Sequence, residues 1–104
     1  MTKHTLRSLN TLKNNDGMTL KNYKPIAYKT GYQVADHGFV ATSAKEAAEM
    51  IDRFNGNCGV WLENGKFYVD HSFRVSSKKE AVMIGRANNQ ISVLSWSDMK
   101  LIYC

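Results

Sequence analysis

Ala44, Ala47, Ala48, Ile51 and Phe54 recur at helical spacing and make one apolar face. The stretch opens on Ser43-Ala44-Lys45-Glu46, a capping box in which the serine hydroxyl accepts from the amide three residues on. Asn55-Gly56 closes it with a left-handed stop. The same grammar returns at Ser77-Lys78-Lys79-Glu80, followed by Ala81, Val82 and Ile84. Here Gly85 stands where the first stretch has Ile51, lowering helix propensity by about 1 kcal/mol, so a neighbouring strand is expected to approach it closely. The spacing predicts helices over 43–55 and 77–89.

The segments between them have strand character. Gly59-Val60-Trp61-Leu62 and Lys66-Phe67-Tyr68-Val69 flank Asn64-Gly65, the strongest short hairpin signal. Ile91 to Trp96 and Lys100 to Tyr103 form two further strands around a turn at Ser97-Asp98. Upstream, Pro25 to Val34 is strand-like, and Thr19 to Asn22 can pair with it as a hairpin. The order (β)β-α-ββ-α-ββ implies an α+β fold: a two-layer sandwich whose antiparallel-type sheet carries two helices on one face.

A 34-residue period runs through this pattern. Sliding the chain by 34 places Asp36 on Asp70, His37 on His71, Phe39 on Phe73, Ser43 on Ser77, Lys45 on Lys79, Glu46 on Glu80, Ala47 on Ala81 and Asn55 on Asn89, without a gap. The expectation is one domain over residues 17–104 with a duplicated 34-residue unit (34–56 and 68–90), preceded by a basic arm over 1–16. The arm, with few apolar groups, is expected to be helical or mobile.

At 104 residues there is enough chain for one hydrophobic core. No apolar run approaches the roughly 20 residues needed to cross a bilayer, so no membrane contact is expected. No signal peptide is visible at the N-terminus, which makes the cytosol the expected location. Charge changes the picture more. The formal net charge is +5, and residues 1–31 carry all of it: Lys3, Arg7, Lys13, Lys21, Lys24 and Lys29 stand there against Asp16 alone. A neutral body with a basic leader points either to an acidic partner or to a solubilising arm.

The duplicated Asp36-His37 and Asp70-His71 are the most suggestive chemistry. They are expected just after a strand and before a capped helix, where two histidines and two aspartates can meet across a pseudo-twofold axis to bind zinc or act as acid and base. The simpler alternative is that duplication copied two turns, with Phe39 and Phe73 plugging the core. Cys58 and Cys104 lack a C-x-x-C spacing and are expected to be a small buried group and a chain-end residue. A Cys-His pair can be written on paper, but no family signature surrounds either cysteine, and no Gly-rich phosphate loop exists. No catalytic, cofactor or metal residue is therefore assigned, and an enzyme is not expected. The basic leader is interleaved with Tyr23, Tyr28 and Tyr32, a pattern shared by nucleic-acid surfaces and half-buried edge strands. Trp61 and Trp96 read as core residues or interface anchors.

The stretches YKTGYQVA, GNCGVW and NQISVLSW lie within residues 17–104, and there the chain resembles small orphan proteins of phages and integrated mobile elements of Gram-positive bacteria. Inhibitors of host defence, including anti-CRISPR proteins, are drawn from that pool. The resemblance implies an inhibitor of a host CRISPR effector nuclease acting in the bacterial cytoplasm, and the lack of a visible nucleophile, metal cluster or phosphate loop makes stoichiometric binding its expected mode of action. Because the chain is basic, DNA mimicry is disfavoured and the contact must be made otherwise. Tyr23, Trp61 and Arg74 are the expected partner anchors, with Lys13, Lys21, Lys24 and Lys29 as the basic contacts. Two alternatives stay open: a nucleic-acid-binding accessory protein using residues 1–31, and a metal-binding protein using the Asp-His pairs.

Overall fold

In a computed structural model, which describes residues 9–14 and 16–104, the Ser43 and Ser77 hydroxyls accept the amides of Glu46 and Glu80 at 3.1 and 3.3 Å. They start helices α1 (Ala44–Arg53) and α2 (Lys78–Ala87). Both helices stop alike. Asn55 and Asn89 take left-handed backbone, and the amides of Gly56 and Gln90 bond back to the carbonyls of Ile51 and Gly85 at 2.9 and 2.8 Å.

Among the described residues, seven strands form one antiparallel sheet: β1 (Gly17–Lys21), β2 (Lys24–Pro25), β3 (Tyr32–Ala41), β4 (Cys58–Glu63), β5 (Lys66–Val75), β6 (Ser92–Ser95) and β7 (Lys100–Tyr103), in the spatial order β2-β1-β4-β5-β3-β6-β7. Both helices cover the same face. The helices start at Ala44 and Lys78, 34 residues apart, as do β3 and β5 at Tyr32 and Lys66 and β4 and β6 at Cys58 and Ser92. Asn64 and Gly65 both adopt positive φ, the turn that matches strand twist, and set Trp61 opposite Tyr68.

Two clusters fill the space under the helices. One gathers Ala47, Ala48 and Ile51 of α1 with Leu20, Cys58, Val60, Phe67 and Val69. The other gathers Ala81 of α2 with Val34 and Val93. Gly85 permits the close approach expected of it: a Cβ there would lie 2.5 Å from Cys104 Sγ and 3.2 Å from Val93 Cγ1.

Three expectations are corrected. Pro25 to Val34 is not one strand: β2 ends at Pro25, residues 26–31 cross the sheet face away from the helices, and β3 begins at Tyr32. The crossing is needed because β2 lies at the sheet edge, four places from β3. The Asp-His pairs lie inside β3 and β5, not after them. Phe39 does not plug the core; it is 44 % exposed. Part of the expected arm, residues 1–8 and 15, lies outside the described residues. Leu9 is buried in the first cluster, with Leu12 packed against it.

Candidate functional site

Strands β3 and β5 make the longest pairing in the sheet, and a register shift between Ala35 and His37 interrupts it. Regular alternation sends Asp70 to one face and His71 to the other. In β3 the bulge breaks that alternation at Asp36, so Asp36 and His37 reach the same side. His37 and His71 are direct cross-strand partners on the helix-bearing face. Asp36 lies between them. Its Oδ1 is 2.8 Å from His37 Nδ1, and its Oδ1 and Oδ2 are 2.9 and 3.0 Å from His71 Nδ1. Burial pushes the Asp36 carboxyl up, but the hydrogen bond and charge of His71, followed by those of His37, outweigh it and hold the group below the usual carboxylate range.

This cluster occupies the seam between the two cores. Phe54 at the end of α1 lies 5.2 Å from His37 and 5.5 Å from His71, ring centre to ring centre, and Phe73 lies 6.0 Å from His71. Phe39 stacks on Phe54, and Arg53 and Asn55 complete a recess of about 400 Å³.

Asp70 does not join the group. Its carboxyl lies across the β3 backbone at Gly38, in the space that a Cβ there would need. Burial raises it above the usual carboxylate range. Cys58 is the other cross-strand partner of His71, so the paper Cys-His pair is neighbouring in space. Burial, reinforced by the Asp70 charge, pushes the thiol up to about 12. A thiol held protonated is not a nucleophile near neutral pH.

Among the described residues, no helix covers the opposite face of the sheet. Trp61, Tyr68 and Val40 form a cross-strand row there, all three exposed, and it continues to Gly17 on β1. Gly17 lets the indole lie down: a Cβ would meet Trp61 Cε3 at 2.7 Å. Beside this row is a groove of about 700 Å³ walled by Ile26, Ala27, Trp61, Leu94, Trp96 and Met99, with Asp70 and Ser72 among its polar members. The crossing segment roofs one side and is pinned in place. Arg74 donates from Nε to the Thr30 carbonyl at 2.9 Å and lies 5.4 Å from the Tyr28 ring centre. Trp96 packs edge-on to Tyr28, and its indole N–H donates to Gln33 Oε1 at 3.2 Å. Gln33 in turn donates to Ser72 Oγ at 3.1 Å.

The structure scatters the residues expected to bind a partner. Trp61 stands exposed on the open face. Arg74 is half-buried and occupied by the crossing segment. Tyr23 is half-buried against the first core, above Gly56, with its amide bonded to the Gly56 carbonyl at 3.1 Å. Lys13, Lys21, Lys24 and Lys29 are exposed; Lys21 and Lys24 pair at the β1–β2 edge. Tyr68 and Val40 belong with Trp61 and were not singled out in the sequence. The Asn-Gly turn carried a signal for Tyr68, because a two-residue loop fixes it opposite Trp61.

No protein-family model, no curated protein and no solved structure matches the chain.

Proposed function

We propose that this chain is a non-enzymatic interaction protein that works by burying its open sheet face against a partner protein. The resemblance of residues 17–104 makes a host CRISPR effector nuclease the partner of choice. The observation that carries the proposal is the exposed row of Trp61, Tyr68 and Val40, continuous with the apolar groove beside it. Contiguous exposed apolar surface rimmed by polar groups marks a binding face, and aromatic residues dominate such faces energetically. A standard interface hides about 800 Å² on each side, within reach of a seven-stranded sheet. Burial of Cys58 disfavours its thiolate and with it a covalent role for that cysteine.

Size-exclusion mixing with a purified effector complex and, separately, with duplex DNA tests this. The expected result is a complex with the effector, inhibition that saturates near equimolar protein, and loss of both in Trp61→Ser with Tyr68→Ser. Retention on DNA alone, weakening steeply with salt, would establish the accessory-protein alternative instead.

A further inference from the structure

We infer that Asp36, His37 and His71 form a three-ligand site for a divalent transition-metal ion, zinc foremost, at the seam between the two helices and independent of the open sheet face. The three residues each offer one ligand atom, and these atoms all lie within 4.8 Å of one another. Zinc binds imidazole nitrogen and carboxylate oxygen at about 2.0–2.2 Å, so ligand atoms around a tetrahedral ion stand roughly 3.3 Å apart. Asp36 Oδ1 stands 2.8 and 2.9 Å from the two Nδ1 atoms, and no two ligand atoms are more than 4.8 Å apart, a range that includes this value.

The backbone is suited to the task. His37 and His71 come from directly paired positions of two central strands, where the scaffold is rigid. The bulge brings the carboxylate to the same side, a placement that regular pairing would forbid. Bulges re-aim side chains in this way next to functional sites. With the ring nitrogens of both histidines already turned to one carboxylate, the ion replaces protons held between them. Two imidazoles with a single carboxylate suit zinc, cobalt, nickel or copper, and not calcium or magnesium, which require more oxygen ligands. Three protein ligands leave a fourth position, which opens into the recess walled by Phe39, Phe54 and Arg53. Arg53 gives that position an anionic preference, so hydroxide or a small carboxylate is the fitting fourth ligand.

The test is titration of the full chain with zinc chloride by calorimetry, with cobalt chloride as a spectroscopic probe. The expected outcome is one equivalent bound with a Kd below about 10 μM, near the affinity at which about 7 kcal/mol is released, and a melting temperature that climbs with zinc concentration. His37→Ala, His71→Ala and Asp36→Asn should each weaken binding at least tenfold while circular dichroism stays unchanged. Imidazole nitrogen signals of His37 and His71 should shift in the wild type on zinc addition, a readout that does not depend on any variant folding. Three results would overturn the site: no saturable binding up to about 1 mM zinc, folded variants that bind as the wild type does, or a thiolate-to-cobalt charge-transfer band placing the ion on a cysteine.

Discussion

His37 and His71 stand 34 residues apart in the chain and face each other across the β3–β5 pair, with ring centres 5.8 Å apart. Two positions 34 residues apart thus meet at one cross-strand pair. Their aspartates do not behave equivalently, because the bulge beside Asp36 has no counterpart at Asp70. One carboxyl is held between two imidazoles and the other is folded over Gly38 on the far face.

That asymmetry gives a pH test. Burial holds the Asp70 carboxyl above its ordinary value in the folded chain. A carboxyl whose folded pKa is raised binds its proton more tightly in the native state than in the unfolded one. Ionisation therefore costs stability, which falls as pH rises through the window between the unfolded and folded values and stays reduced above it. Asp70→Asn should raise the melting temperature at pH 7 and change little at pH 3, measured by thermal unfolding at both. An equal effect at both pH values would rule out the carboxyl charge as the cause.

The helix caps make a second prediction. Ser43→Ala and Ser77→Ala each remove the acceptor for a first-turn amide and should destabilise by roughly 0.5–2 kcal/mol. Urea unfolding reads this directly, and the two losses should add, since the serines cap different helices over different core clusters.

Gly56 is the position least tolerant of a side chain. Its φ of +74° is unfavourable for any other residue, and a Cβ would run into the Tyr23 backbone. Gly56→Ala should destabilise by more than about 1 kcal/mol. Hydrogen exchange should locate the damage at the amide of Tyr23, which loses its bond to the Gly56 carbonyl, together with the β1–β2 turn.

The crossing segment offers a fourth test. Arg74→Ala removes both contacts to Thr30 and the stacking on Tyr28. Exchange at the Trp96 amide, bonded to the Gly31 carbonyl at 3.0 Å, should accelerate while the core amides of Val60 and Val69 stay protected. Uniform acceleration would mean that Arg74 supports the whole fold and not the segment alone.

Much of this architecture was legible in the chain because its signals are local. A serine followed three residues later by glutamate and an apolar stripe announce each helix, and both form within one or two residues of the expected bounds. The Asn64-Gly65 turn defines β4 and β5 in the same way. What could not be read is non-local. Nothing near His37 announces that β3 pairs with β5 and not with its sequence neighbour β2, so the convergence of the imidazoles was visible only as a possibility. The bulge was hidden too, since an extra residue in one strand shows only against its partner. Pro25 to Val34 misled for a related reason: its tyrosines fit an edge strand equally well, yet Tyr28 is used to pack on Trp96. The open-face row was half legible, through the hairpin register that sets Trp61 against Tyr68.

The placement of β1 beside β4 has a consequence for synthesis on the ribosome. Translation delivers β1 and β2 first, but β1 finds its long partner only after α1 has been made and Cys58–Glu63 has emerged. A two-strand hairpin is marginal in water by itself. The N-terminal hairpin must therefore wait as unpaired nascent chain until β4 arrives. Polar and basic residues at that hairpin, Lys21, Asn22 and Lys24 among them, keep the waiting edge from recruiting another chain.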